Sequence, residues 1–118
     1  MPDTLPATVY ELERTWRALK SHPRLFAIYL SRFKTSTFKK VFKEAVSSEL
    51  LSSMMIALRD HGSPEDIIAV FTGFSNSASF DMTIMMLPAE DTNNVKTIFA
   101  KLDGNDPKVQ ELKAKYKV

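Results

Sequence analysis

The chain has 118 residues, 44% of them apolar and 25% charged, with a net charge of +2 and no cysteine. This composition suits one soluble domain with its own core and excludes a disulfide framework and any thiolate metal site. No apolar run reaches the roughly 18 residues of a membrane span, and no apolar signal core opens the chain, so a cytoplasmic or nuclear protein is expected.

Residues 1–7 read as a flexible tail, and residues 8–118 as a single helical domain. Glycine is scarce, strand-type alternation is absent, and helix-period segments follow one another between short breakers. Thr8 is placed to cap a first helix, with Glu11 three residues on as in a capping box. Val9, Leu12, Trp16 and Leu19 then form its apolar stripe. Pro23 suits the first turn of a second helix, after Ser21 and His22, which carries Leu25, Phe26, Tyr29, Leu30 and Phe33. A brief third helix holds Phe38, Val41 and Phe42. Ser47 starts a fourth with Leu50, Leu51, Met54, Met55 and Leu58; Arg59 and His61 fall in its last turn, and Gly62 fits a C-terminal glycine cap. Ser63, Pro64, Glu65 and Asp66 form the strongest helix start in the chain. They open a fifth helix through Ile67, Ile68, Val70, Phe71 and Phe74. After "SNSAS", the stretch "FDMTIMML" (80–87) makes a sixth, which Pro88 ends unless it starts the next. Val95, Ile98, Phe99 and Leu102 define a seventh helix. Asp106-Pro107 opens an eighth with Val109, Leu112 and Tyr116. The expected fold is therefore all-α, a superhelical array or irregular bundle of seven to eight short helices.

Charge is uneven along the chain. Residues 11–44 hold nine Lys and Arg (Arg14, Arg17, Lys20, Arg24, Arg32, Lys34, Lys39, Lys40, Lys43) against Glu11, Glu13 and Glu44. Residues 60–118 hold nine acids against six lysines. A solvated helix face explains this asymmetry, and so does orientation of an acidic partner or an anionic surface.

Catalysis would need a nucleophile with a base, a carboxylate pair or a metal cluster. His22 and His61 each sit beside a helix breaker and read as caps or surface residues. Glu65-Asp66 and Glu90-Asp91 lie at helix starts, where acids complement the dipole. "DGND" (103–106) lacks the glycine and glutamate positions of a calcium loop and reads as a turn. No phosphate-binding glycine loop is present. The expectation is a non-enzyme with no catalytic residue, cofactor or metal. Around "FKTSTFKKVFK" the apolar residues interleave at core spacing, which argues against nucleic-acid binding. Phosphoinositide binding by the same basic helices is the better alternative.

The sixth segment is unusual. Six of its eight residues are large and apolar, and it holds three of the six methionines. On a helix, Phe80, Ile84 and Leu87 share one side, while Met82, Met85 and Met86 fall on a partly overlapping arc. Methionine suits surfaces that re-pack against a partner; a helix buried on all sides explains the same composition. The residues alone leave both readings open. Met54 and Met55 read as core.

Taken in order, "PATVYELERTWRALK", "FAIYLSRF", "FKKVFKEAVSSELL…MMIALRD", "FDMTIMML" and "VQELKAKYKV" resemble the C-terminal domain of the RNA polymerase II-associated protein 3 family, over about Pro6 to Val118. No single element is specific; the order and spacing are. The resemblance implies an all-helical superhelix similar to VHS and ENTH adaptor folds, monomeric on its own. It implies a tetratricopeptide co-chaperone of heat-shock protein 90 that tethers the chaperone machinery to RuvB-like AAA+ ATPases, Pontin and Reptin, with the Reptin-type subunit preferred. Implied clients are RNA polymerases, small nucleolar ribonucleoproteins and phosphatidylinositol-kinase-related kinases, and heat-shock protein 90 would be bound by other parts of the full-length protein. No nucleic-acid or membrane partner is implied. The alternatives are the equivalent domain of a dynein-assembly co-chaperone and a VHS/ENTH-like lipid or trafficking adaptor. The family's partner-facing Arg-Phe-Asp-Met core and the apolar residue one turn on map to Ser79, Phe80, Asp81, Met82 and Met86. With Met85, the expected partner-binding set is Ser79, Met82, Met85 and Met86. Ser79 stands where the family has arginine, so that position carries no charge here.

Overall fold

The computed structural model describes residues 5–43 and 46–118. Met1 to Thr4 of the expected tail, and Glu44 of the charge comparison, lie outside the described residues. Of the rest of that tail, Pro6 is buried while Leu5 and Ala7 are exposed.

Eight helices follow one another among the described residues: α1 (Val9–Leu19), α2 (Pro23–Ser31), α3 (Thr35–Val41), α4 (Ser48–His61), α5 (Pro64–Phe74), α6 (Phe80–Met85), α7 (Ala89–Phe99) and α8 (Pro107–Tyr116). Their starts are set by local chemistry. Thr8 Oγ1 accepts from the Glu11 N–H at 3.2 Å, while Glu11 reaches back to the Ala7 N–H at 3.3 Å, one residue before the usual capping-box donor. Ser47 caps α4 through the Leu50 N–H, Ser63 caps α5 through the Asp66 N–H, and Asp106 caps α8 through the Lys108 N–H. Pro23, Pro64 and Pro107 each occupy a first turn, where a missing N–H costs nothing. Pro88 is the residue that precedes α7.

Two glycines answer to close approach. Gly62 ends α4 in extended backbone, not in the left-handed conformation expected of a glycine cap. A Cβ there would lie 2.7 Å from the Leu58 carbonyl oxygen, so the position is sterically closed to larger residues. Gly73 lies where α3 crosses α5. A Cβ there would collide with Phe38 Cβ and lie 3.0 Å from the Phe38 carbonyl carbon.

Beyond α1 on α2, packing skips along the sequence: α2 lies on α4, α3 on α5, α4 on α7, and α8 on α5. Apolar side chains from all eight helices form one core, with Leu12, Phe38, Phe42, Leu50, Ile67 and Ile98 fully buried. Met54 and Met55 are buried in it. On α2 the inner face is Phe26, Ala27, Tyr29 and Leu30, while Leu25 and Ile28 remain exposed. Rings form a continuous chain through this core, Tyr29–Phe33–Phe38–Phe42–Phe74–Phe80–Tyr116, with centroid separations of 4.9 to 5.8 Å. Edge-to-face and offset contacts at these distances add to simple burial. Phe71 and Phe99 close a cluster around Tyr116.

A polar seam fastens α4 to α7 and to the residues after it. Ser52 donates to Asp91 at 2.9 Å, and Arg59 donates to Asn94 at 2.8 Å. The Lys101 ammonium donates to the carbonyls of Leu58, Arg59 and Gly62 at 3.0, 3.2 and 2.7 Å. It thereby supplies the cation that the end of α4 favours.

Candidate protein-binding surface

Only one residue of α6, Phe80, is buried. Its ring meets Phe74 at 5.5 Å and Tyr116 at 4.9 Å, edge to face in both cases. Ile84 and Leu87 are half-buried against the core. These are the three residues that helical spacing places together on one side, and that side faces inward.

The opposite side carries Met82, Met85 and Met86, which are 66%, 76% and 75% exposed. Large apolar side chains exposed together on one turn of helix are uncommon on a surface with no partner. α6 ends at Met85, so Met86 is its C-cap; the Met86 N–H still donates to the Met82 carbonyl at 3.1 Å. Met82 and Met86 therefore stay one turn apart on a shared face.

Ser79 precedes α6 and is half-buried. Its hydroxyl makes no cap bond to the helix and lies 3.4 Å from the Ser77 hydroxyl. Of the expected set, the structure brings Met82 and Met86 together at a groove, leaves Met85 beside them, and sets Ser79 back at the helix entry.

The groove, about 300 Å³ in volume, is walled by Met82, Met86 and Leu87 on one side and by Val46, Leu51 and Asp91 on the other. Met85 takes no part in it. A second, more polar groove of about 570 Å³ continues from the first past Ser48, Pro88 and Asp91, which line both, toward Trp16 and Lys20. The Lys20 ammonium lies 5.8 Å from the centre of the Trp16 ring.

Asp91 and the start of α4 were absent from the expected set. Asp91 is in the first turn of α7 and also points inward, only 7% exposed. The spacing held a clue: Asp91, Asn94, Val95 and Ile98 fall on one helical stripe, and all four are buried. No local pattern marks Val46 and Leu51 as neighbours of α6, because that meeting is made by tertiary packing.

Among the described residues, no group of three or more His, Cys, Asp or Glu is placed to hold a metal ion. None of the described helices is long and apolar enough to cross a membrane. Lys39, Lys40 and Lys43, at and beyond the end of α3, are exposed.

Comparison with known proteins gives this geometry a family. Residues 5–92 match the family described as "Potential Monad-binding region of RPAP3". RNA polymerase II-associated protein 3 of Xenopus laevis is 31% identical over 103 residues, covering 84% of this chain and 16% of that protein. The human protein of the same name is 26% identical over 119 residues, covering 95% of this chain and 18% of its own length. The chain thus spans about a sixth of the curated relatives it matches. The solved NMR structure of the C-terminal domain of the human RPAP3 protein shares the fold. Its TM-score is 0.76 at 24% identity, over 98% of this chain and 93% of that one. Matched by the family model over three quarters of its length, and sharing the fold of the human domain, this chain is a member of the RPAP3 C-terminal domain family, a protein-interaction domain.

Proposed function

We propose that this domain is the docking module by which a co-chaperone of heat-shock protein 90 tethers the chaperone machinery to RuvB-like AAA+ ATPases, with α6 meeting the Reptin-type subunit. The assembly served would be that of RNA polymerase, small nucleolar ribonucleoprotein and related kinase complexes, in the cytoplasm and nucleus. The observation that carries the reading is the exposure of Met82, Met85 and Met86, at 66% to 76%, on a helix whose other side is anchored by Phe80. Flexible, polarizable methionine surfaces adapt to a partner's relief, and burying three such side chains contributes about 1.5–3 kcal/mol each before ordering costs. Family membership supports the same reading, since the family's description names a binding region and its potential partner, Monad.

The test is a capture assay on purified Reptin-type ATPase, with Monad as a second bait. The Met82→Glu, Met86→Glu variant should lose ATPase capture by at least about a hundredfold, the effect of placing two charges in a desolvated interface. Its circular dichroism and Tm should stay unchanged, because both side chains are already in water. A folded variant that still captures the ATPase at full strength overturns the assigned face. Loss of Monad capture alone would assign the face to Monad.

A further inference from the structure

The groove beside Met82 and Met86 is mostly apolar; Ser48 and Thr83 add neutral hydroxyl groups, and its one charged group is the Asp91 carboxylate. That carboxylate is 7% exposed, and its Oδ2 accepts a hydrogen bond from the Ser52 hydroxyl, a neutral donor. Among the described residues, no Lys, Arg or His lines this groove. From Ser75 to Val95 the chain carries Asp81, Glu90 and Asp91 and no basic residue. The adjoining groove adds Glu49 and Lys20, so the lining of the two together holds two carboxylates and one ammonium. The nearby Arg59 is engaged elsewhere: its guanidinium donates to Asp60 and to Asn94.

A carboxylate offers about four acceptor sites. Covering it with an apolar partner that brings no donor removes its remaining water and gives nothing back. A partner that fills the groove must therefore supply both an apolar side chain and a donor. We infer that the occupant is a segment of a protein partner that seats an apolar side chain between Met82, Met86 and Leu87 and, next to it, reaches Asp91 with a lysine or arginine. The inference rests on the methionine face being a docking site. With Asp91 as its one charged lining residue, the groove is net negative and calls for a cation.

Two nonapeptides, identical except that a central Leu-Phe is flanked by Arg in one and Glu in the other, test this against the chain carrying ¹³C-methyl methionine. The Arg peptide should shift the Met82 and Met86 methyl signals and leave those of buried Met54 and Met55 in place. The Glu peptide should bind about tenfold more weakly or not at all, the effect of one charge-assisted hydrogen bond. Asp91→Asn, which keeps the shape and the Ser52 partner, should bring the Arg peptide down to the level of the Glu peptide. Equal shifts with both peptides, a preference for Glu, or an Arg-peptide affinity untouched by Asp91→Asn each overturn the inference. If those results come with ATPase capture still lost in the Met82→Glu, Met86→Glu variant, the docking face itself stands. If neither peptide moves the Met82 and Met86 signals and that variant captures normally, both fall.

Discussion

The Tyr116 hydroxyl donates to the Phe71 carbonyl oxygen at 2.6 Å inside the aromatic cluster. Burial holds this phenol well above the ordinary tyrosine range, and burial also raises Tyr29. An unfolded chain ionises its tyrosines near pH 10, whereas in the folded domain these two give up their protons only at higher pH. Above that pH the unfolded state binds fewer protons than the folded one, so stability falls as pH rises and is fully present below it. Replacing Tyr116 by Phe should therefore flatten the alkaline limb of the stability curve; denaturant midpoints between about pH 8 and 11 would show it. Identical limbs in the two proteins would place the titration elsewhere. At neutral pH the same substitution should cost only about 1 kcal/mol, because the Phe71 carbonyl keeps the Ser75 N–H at 3.0 Å.

At the level of elements, α3 crosses α5 at close range. Gly73 lets Phe38 and the backbone after it sit directly on α5. Gly73→Ala would gain about 1 kcal/mol of helix propensity, yet it forces the crossing open in a core with no slack. A net loss of about 2 kcal/mol is expected, read as a Tm lower by roughly 10 °C; a stabilised variant would mean that α3 shifts freely. This necessity is hidden in the sequence, where Gly73 is a poor helix former inside an otherwise clean helical pattern. What can be read from the sequence is local. The caps at Thr8, Ser47, Ser63 and Asp106 join residues two or three apart, and the three first-turn prolines act within a single turn, so residue order alone makes each legible. The grouping of the α6 side chains onto two sides is legible for the same reason, since it follows from a period of 3.6; that the methionine side is exposed is not. The order of packing is not: α2 on α4 and α3 on α5 are set by which stripes fit across a crossing. The inward turn of Asp91 is marked only by its place on the stripe of Asn94, Val95 and Ile98, and an acid in a first turn already has a sufficient explanation in the helix dipole. The Ser52 hydroxyl that meets it is 39 residues away.

Across the whole molecule, a radius of gyration of 13.1 Å is that of a packed chain of this length. Its ring chain begins at Tyr29 and ends at Tyr116, so the last helix closes what the second begins. The family match stops at Thr92, before α7 is complete and before α8. A fragment trimmed to 5–92 would lose Val95, Ile98, Phe99, Val109, Leu112 and Tyr116 from the core, and with them the covers of Phe71 and one of the two rings that hold Phe80. Such a fragment should keep helical far-ultraviolet dichroism, lose its near-ultraviolet signal and bind the dye ANS; a sharp thermal transition from it would show that the last 26 residues are dispensable. If the fragment behaves so, the stretch matched by the family model and the smallest piece that folds have different ends. A fragment that stops where the family-model match stops would present the methionines on a helix that has lost one of the two rings holding Phe80, and weak capture by it would report a badly chosen cut, not a weak interface.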